Sequence, residues 1–251
     1  MNLGEKLLDA MGPHEMFRIH LFGYPIPVTD TLITMWLVMA FLIICAFIFT
    51  RNLKAIPKGK QNVAETVVEL INSMVKDVIG HHWRPYAPYM GTIILFLIFA
   101  NIISIFNIIP NWTQLYNLTH IQFFQHLPEF ELRPPTKDIN VTAALAIMSI
   151  VIVLFSGIII KKPVEFLKGF LYPMPVILPF KILDYIVRPT SLCLRLFGNI
   201  LAAFTIMELV LLVIPPIIPA FLSIYFDMFD GALQAYIFVF LTSLYVAETI
   251  E

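Results

Sequence analysis

Arg195 is the residue whose type and position most need a chemical explanation. It lies inside a long apolar run, within the sequence Leu-Arg-Leu-Phe-Gly-Asn at positions 194–199. A charge in the hydrocarbon core of a membrane costs at least about 2.5–3.5 kcal/mol. Arginine stays ionised at any accessible pH, so it cannot relay protons, but it can pair with a carboxylate and favour its ionised form. We therefore interpret Arg195 as a fixed positive charge that acts on carboxylates and blocks direct proton leakage.

Two structural explanations compete with this interpretation of Arg195. In the first, its long side chain snorkels to the membrane interface from near a helix end. Asp184 and Arg188 already occupy that end, and Arg195 lies about two turns deeper. In the second, Arg195 forms an internal salt bridge with Asp227 or Asp230. Neither explanation requires a partner protein, whereas pairing with mobile carboxylates does.

Other polar residues follow regular stripes on the last two apolar segments. On the first segment they lie at offsets of 3, 7, 14 and 18 from the first member: Lys181, Asp184, Arg188, Arg195 and Asn199. On the second segment they lie at positions i, i+3 and i+7: Asp227, Asp230 and Gln234. Side chains with these spacings share one face of a helix. Each segment is therefore predicted to carry a polar stripe.

The same residues also separate by their depth in the membrane. Those near the inner ends of the segments are Lys181, Asp184 and Glu248. Those near the outer ends are Glu208, Asp227 and Asp230. The level between them holds Arg195, Asn199 and Gln234. Two polar zones separated by an arginine favour a carrier, which loads an ion on one side and unloads it on the other, over a continuous pore.

The composition indicates a helical membrane protein that spans the bilayer several times. Of 251 residues, 59% are hydrophobic and only 13% are charged, whereas soluble domains carry about 25% charged residues. The net charge of −1 says nothing about nucleic acid, but the sequence has no basic arm, and no nucleic-acid partner is predicted. Cys45 and Cys193 lie in apolar runs, and no Cys/His cluster has metal-ligand spacing, so no metal site or cofactor is predicted.

The predicted fold is all-α: an integral membrane protein with five transmembrane helices, one interfacial amphipathic helix, and a long hairpin formed by the last two helices. Apolar runs of about 20 residues suffice to cross the ~30 Å hydrocarbon core. The predicted segments are an external N-terminal segment 1–30, a transmembrane helix 31–50, an amphipathic surface helix 58–80, a transmembrane helix 89–110, an external loop 111–138, a transmembrane helix 139–160, a cytoplasmic connector 163–180 and an ion-channel hairpin 181–251.

Basic residues give the orientation of these segments. They concentrate on one side: Arg51, Lys54, Lys58, Lys60, Lys161, Lys162 and Lys168. By the positive-inside rule this side is cytoplasmic. The N-terminus is therefore predicted outside and the C-terminus inside.

Polar residues within the second and third spans are candidates for lining an ion path from the outer side. They are Asn101, Asn107, Thr142 and Ser149. Thr142, Ser149 and Ser156 recur every seven residues and form one hydroxyl stripe. This stripe fits two interpretations equally well: helix packing through small polar residues, or the wall of a water path.

Two motifs carry a resemblance to a known family. The Leu-Arg-Leu-Phe-Gly-Asn sequence at 194–199, together with Gly-Ala-Leu-Gln-Ala-Tyr-Ile-Phe at 231–238, resembles subunit a of F-type ATP synthases. The similarity extends over most of the chain, including the first span, the surface helix and the connector. It implies a non-catalytic membrane subunit that binds no nucleotide. The implied location is the bacterial plasma membrane, with an organellar energy-transducing membrane as the less favoured alternative.

The resemblance also implies partners and roles for individual residues. The hairpin, strongly tilted, would pack against a rotating ring of c subunits, with b subunits forming the peripheral stalk of the complex. Arg195 matches the essential arginine that faces the ring carboxylates, and Asn199 and Gln234 match its polar companions. Ions would enter through one half-channel, travel with the ring and leave through the other. The implied ion is a proton, with sodium as the alternative.

Three positions depart from the pattern of the family. Phe204 stands where many relatives carry an acid, and Glu208, one turn further, is the substitute predicted here. Asp227 stands where many relatives have His or Glu, and Lys181 where some have an acid. The resemblance therefore leaves the choice between Glu208 and Asp227 as the main outer acid open.

A self-contained secondary transporter is the alternative function. Such a protein would use Asp227, Asp230 and Arg195 as an exchange pair within the membrane. Transporters of this kind usually have inverted repeats and broken helices at matching positions, and this sequence has neither. A purely structural scaffold would leave the cost of Arg195 unexplained.

Overall fold

The structure is a computed structural model that describes residues 15–21, 24–51, 53–54, 57–103, 134–161, 163, 178–213, 222 and 224–250. Asn107, most of the predicted external loop and most of the predicted connector lie outside the described residues. The side chains of Phe204, Glu208 and Asp227 also lie outside the described part. The predicted roles of Asn107, Glu208 and Asp227 therefore stay predictions.

Six α-helices have described bounds. In chain order they are α1 (Asp30–Thr50), α2 (Lys60–Ile79), α3 (Ala87–Ile102), α4 (Ile139–Lys161), α5 (Leu178–Val213) and α6 (Gly231–Ile250). Short 3₁₀ turns lie at Gly80–His82 and Pro135–Lys137, and a π-helical turn at Ile224–Asp230 leads directly into α6. The prediction of an all-α integral membrane fold is confirmed, because four described segments are long and apolar enough to cross a membrane: Asp30–Thr50, Ile139–Lys161, Leu178–Met207 and Met228–Ile250.

Two helices, α3 and α5, have described lengths that differ from the length needed to cross the hydrocarbon core. Helix α3 is apolar but has only 16 residues, and residues 104–110 after it are not described, so the count of five spans stays a prediction. Helix α5 has 36 residues, which corresponds to about 54 Å at the usual helical rise. That exceeds the ~30 Å of hydrocarbon, so α5 must tilt or extend beyond the core.

A β-hairpin precedes the first helix, which the sequence interpretation did not predict. Strand β1 (Glu15–Leu21) pairs antiparallel with β2 (Tyr24–Thr29), from Leu21 opposite Tyr24 to Glu15 opposite Thr29. Pro25 and Pro27 lie at alternate positions of β2 and lack the N–H that a ladder bond needs. The nitrogens of both prolines therefore face the open edge of the hairpin, away from β1. Prolines at such an edge prevent a further strand from pairing.

Side chains and glycines define where the first two helices begin and end. At the start of α1 the Thr29 hydroxyl accepts the N–H of Leu32 over 3.4 Å, and Asp30 Oδ1 accepts the N–H of Thr31 over 2.8 Å. Thr29 therefore acts as a side-chain cap. Gly59 and Gly80 flank α2 with φ of +61° and +71°, a backbone region in which L side chains are strained. The N–H of Gly80 bonds the Lys76 carbonyl and ends the helix.

The chain divides into two compact units. The first contains Met1–Phe41, Leu97–Asp138 and Asn199–Leu233; the second contains Leu42–Phe96, Ile139–Gly198 and Gln234–Glu251. In the first unit Val28, Val38, Leu97 and Ala203 are buried. In the second unit the buried side chains come from α2 to α6 and include Val75, Met90, Val153, Leu196 and Phe238.

Candidate functional site

Arg195 lies on the open side of α5. Its side chain is exposed, while Leu192 and Leu196 on the same helix are completely buried. Among the described residues of its own unit, none forms a hydrogen bond or an ion pair with the Arg195 guanidinium. The charge that the sequence singles out is therefore presented outward, without a described counter-ion in that unit.

The surface beside Arg195 is exposed and, apart from Ser191, apolar. Leu183, Val187, Ser191 and Leu194 are exposed and recur at spacings of three and four residues, so they share one face of α5. Gly198 continues this face, and a Cβ added there would meet no atom within 4 Å. We call these five residues the exposed α5 face. The absence of a side chain at Gly198 is not required by packing within the described chain, and it leaves room for another helix to approach.

The predicted inner residues Asp184 and Glu248 meet at Arg188. The Arg188 Nη1 atom forms an ion pair with Glu248 Oε2 over 2.7 Å, and Nη2 donates to Asp184 Oδ2 over 3.2 Å. The guanidinium carbon also lies 4.7 Å from the centre of the Tyr245 ring, which is a cation–π distance. Lys181 is half-buried at the start of the same stripe. The sequence placed Arg188 on this stripe but gave no sign of its link to α6.

In the first unit, the predicted residues Asn199 and Asp230 are brought together. Asn199 Nδ2 donates to Asp230 Oδ2 over 2.5 Å. Asp230 is the last residue of the π-helical turn that precedes α6. Such turns widen the helix locally and are frequent at functional sites. The contact gives Asn199 a carboxylate partner and gives Asp230 a neutral donor.

Asn101 is the centre of a buried polar network in the first unit. It is only 3% exposed. Its Oδ1 accepts the Thr136 hydroxyl over 2.7 Å, and its Nδ2 donates to the Gly231 carbonyl over 3.1 Å. The contacts fix Asn101 between a 3₁₀ turn and the first residue of α6, and its predicted role in lining the outer half-channel stays a prediction. No motif pointed to Thr136 or to the close approach at Gly231.

The remaining predicted side chains lie inside the second unit. On α4, Thr142 donates to the Ile139 carbonyl over 3.0 Å and lies 3.6 Å from Cys193 Sγ, and Ser149 donates to the Ala146 carbonyl over 2.9 Å. These bonds satisfy the donor of each hydroxyl within its own helix. Gln234 on α6 is buried, and among the described residues of this unit it forms no hydrogen bond with Arg195.

Comparison with known proteins gives the family of this chain. The model of the ATP synthase A chain family matches residues 32–247. The chain belongs to the ATP synthase A chain family. It is 34% identical over 227 residues to a Propionigenium modestum protein named "ATP synthase subunit a, sodium ion specific", covering 90% of this chain and 76% of that protein. It is 37% identical over 223 residues to ATP synthase subunit a of Gloeobacter violaceus, covering 88% and 84% respectively.

Membership of the ATP synthase A chain family establishes the general role of the chain. It is an integral membrane protein and a non-catalytic subunit of the membrane sector of an F-type ATP synthase. Its place is within the ATP synthase complex, where it takes part in ion transport and ATP synthesis.

Proposed function

We propose that this chain is the stator subunit that passes ions to and from carboxylates on a rotating c-ring. The observation that carries the proposal is Arg195, a permanent charge exposed on a helix and without a described counter-ion in its own unit. A charge in a membrane span needs a compensating partner. Carboxylates arriving one after another on a second protein would supply that partner, and each would lose its proton beside Arg195.

The exposed α5 face is the proposed contact surface for the c-ring. Its apolar side chains and the open space at Gly198 suit the close approach of another helix. Arg195 lies at the edge of this face, so a ring helix packed there would bring its carboxylate within reach.

Two half-channels are proposed to lead to this face. The outer one is assigned Glu208, Asp227 and Asp230, with Asn101, Asn107, Thr142 and Ser149 as lining candidates. The inner one is assigned Lys181, Asp184 and Glu248, and Asn199 and Gln234 are proposed as the polar companions of Arg195. The Asn199–Asp230 hydrogen bond supports a link between the outer acids and α5, the helix that contains Arg195.

We also propose b subunits of the peripheral stalk as partners and the bacterial plasma membrane as the location. The C-terminus is proposed to be cytoplasmic, because the basic residues of the chain concentrate on the cytoplasmic side.

Cross-linking from the exposed α5 face should capture a small c-type hairpin protein. In a background with Cys45→Ala and Cys193→Ser, we expect Leu194→Cys bearing a photoactivatable thiol-reactive probe to form this product in the intact complex. The Leu194 side chain is 57% exposed, so the probe is presented outward. The product is identified by its mass on a denaturing gel and by peptide sequencing.

Leu196→Cys is the matched control for this experiment, because that side chain lies two residues away and is completely buried. Several-fold less product is expected from it. Equal yields from both positions, or products that contain only copies of this chain, would contradict the proposed ring contact and favour a self-contained transporter.

We propose the proton as the transported ion. The Propionigenium modestum relative is named sodium ion specific, so sodium is the alternative to exclude. ATP hydrolysis by the intact complex is expected to stay unchanged when sodium replaces potassium at constant ionic strength. A clear activation by sodium would assign the complex to sodium coupling while leaving the role of Arg195 in place.

A further inference from the structure

Arg188 links the two helices of the hairpin within the second unit. Its two terminal nitrogens contact different carboxylates, Glu248 on α6 at 2.7 Å and Asp184 on α5 at 3.2 Å. The guanidinium carbon lies over the Tyr245 ring, 4.7 Å from the ring centre. One guanidinium thus contacts two carboxylates and an aromatic ring through different atoms, which a lysine ammonium with its single nitrogen could not reproduce. We call Asp184, Arg188, Tyr245 and Glu248 the inner clamp.

Only part of the inner clamp restrains one helix against the other. Asp184 lies four residues before Arg188 on the same helix, so their contact does not hold α5 to α6. Glu248 and Tyr245 are three residues apart on α6 and present one face to Arg188. The Arg188 side chain is 22% exposed and the Glu248 side chain 47% exposed, so their pair is partly shielded from water. The link between the helices therefore rests on Glu248 and Tyr245.

The inner clamp lies beside a proline at which α5 resists bending least. Pro189, the next residue, lies inside the helix and has no N–H to donate to the preceding turn. A helix is weakest against bending at such a point. Arg195 follows Arg188 by seven residues, which is about two turns, on the same stripe. A tertiary contact at Arg188 restrains α5 where the proline weakens it, and Arg195 lies on the far side of that point.

We propose that Arg188 is a positioning residue: by holding α5 against α6 beside Pro189, the inner clamp sets where Arg195 lies on the exposed α5 face. The inference rests on the proposed function, because it concerns the placement of the arginine that faces the ring. Loosening the clamp lets Arg195 move away from the passing carboxylates. Ions then cross without turning the ring, so uncoupled leak rises while coupled transport falls.

The test measures leak and coupled transport separately in vesicles that contain the intact complex. Leak is the ion flow when nucleotide is withheld, and coupled transport is the flow driven by ATP, both expressed per assembled complex. Glu248→Gln keeps the size of the side chain and removes its charge. The ratio of leak to coupled transport is expected to rise about fivefold, as loss of a half-exposed charge pair permits. Arg188→Gln should give at least the same rise, because it removes the contact with Tyr245 as well as the pair with Glu248. The double variant should show no further rise beyond Arg188→Gln, because the pair is already broken.

Conservative variants separate positioning from two other roles. Tyr245→Phe keeps the aromatic face and should retain the wild-type ratio, whereas Tyr245→Leu should raise it. If Glu248→Gln lowers assembly, Glu248→Asp is used in its place. Its carboxylate is retained on a shorter side chain, so the ratio of leak to coupled transport should lie between those of the wild type and Glu248→Gln. A purely structural role would reduce the amount of complex and leave the ratio unchanged. A role of Glu248 only in the inner half-channel would slow coupled transport without increasing leak. Either of these last two results would overturn the proposal.

Arg195→Ala, measured in the same vesicles, separates this inference from the proposed function. If that variant loses coupling and Glu248→Gln keeps the wild-type ratio, the clamp is rejected and the role of Arg195 stands. If Arg195→Ala stays coupled, the proposed function itself is rejected, and the clamp with it.

Discussion

Replacing Arg195 with alanine is expected to abolish coupled ion transport and ATP synthesis while the complex still assembles. At an effective dielectric constant of about 20, a guanidinium and a carboxylate about 4 Å apart attract each other by roughly 4 kcal/mol. Because each 1.36 kcal/mol changes a rate about tenfold, coupled transport should fall by about three orders of magnitude. The measurement is ATP-driven ion uptake into vesicles, together with ATP synthesis under an imposed gradient.

The same substitution should leave the fold intact, and this separates a functional charge from a structural one. The Arg195 side chain is exposed and forms no hydrogen bond or ion pair with the described residues of its own unit. Removing it breaks no described contact there and relieves the cost of a charge in the membrane, at least about 2.5–3.5 kcal/mol. The amount of complex and its thermal midpoint should therefore be unchanged or higher.

Arg195→Lys and Ser191→Ala provide the controls. Lysine keeps a positive charge, but it has a single donor centre and can be deprotonated when desolvated, so it should not restore coupling. Ser191 is exposed one turn earlier, on the exposed α5 face itself. Ser191→Ala removes only a hydroxyl and keeps that face apolar, so it should retain transport close to wild type. Wild-type coupling in Arg195→Ala would reject the proposed function. Loss of the assembled complex would show instead that Arg195 is a structural residue.

The fold class could be predicted because the transmembrane signal is strong and local. Helices α1 and α4 are apolar over 21 and 23 residues, and no other structure satisfies a backbone in lipid as simply. The β-hairpin was missed although its signal was present. Phe17, Ile19 and Leu21 alternate with Arg18 and His20, a strand period. The sequence interpretation assigned residues 1–30 only as an external segment, and alternate prolines such as Pro25 and Pro27 fit an edge strand.

The contacts within the site were harder to predict, because they join residues far apart in the sequence. A stripe on one helix shows which residues share a face, and this gave the positions of Asp184, Arg188 and Arg195. It contains no information on which residue of another helix meets them. Arg188 and Glu248 are 60 positions apart, and their 2.7 Å contact depends on how α5 and α6 pack. Pairing of this kind requires the tertiary structure.

Gly231 belongs to a motif that was recognised in the sequence, but the reason for a glycine there is a tertiary contact. It opens α6, directly after the π-helical turn that ends at Asp230. A Cβ added at Gly231 would lie 2.7 Å from Asn101 Cβ and 3.3 Å from Asn101 Cγ. Carbon atoms do not approach within 3 Å without displacement of one helix. The glycine is therefore required by the contact with α3, and the motif at 231–238 contains it for packing within this chain.

Gly231→Ala is accordingly expected to destabilise the first unit and to impair transport. Overpacking a tight contact typically costs about 1–3 kcal/mol, and the displaced residue would be adjacent to Asp230 and its bond with Asn199. The measurements are the thermal midpoint of the complex and coupled transport per complex. Gly91→Ala is the matched control, because a Cβ there would meet Ile71 Cγ2 at an ordinary 3.6 Å. That control should be neutral or stabilising, since alanine favours the helix over glycine by about 0.5–1 kcal/mol.

A second substitution at Asn101 decides whether the close contact is the cause. The nearest atom to the added methyl group is Asn101 Cβ, and alanine at position 101 retains that atom. Asn101→Ala should therefore fail to rescue Gly231→Ala, whereas Asn101→Gly should rescue it in part. The rescue is incomplete because Asn101→Gly also removes the bonds to the Thr136 hydroxyl and the Gly231 carbonyl. Equal rescue by both substitutions would place the strain at the amide group of Asn101. No rescue by either would show that Gly231 is needed for a reason other than its contact with α3.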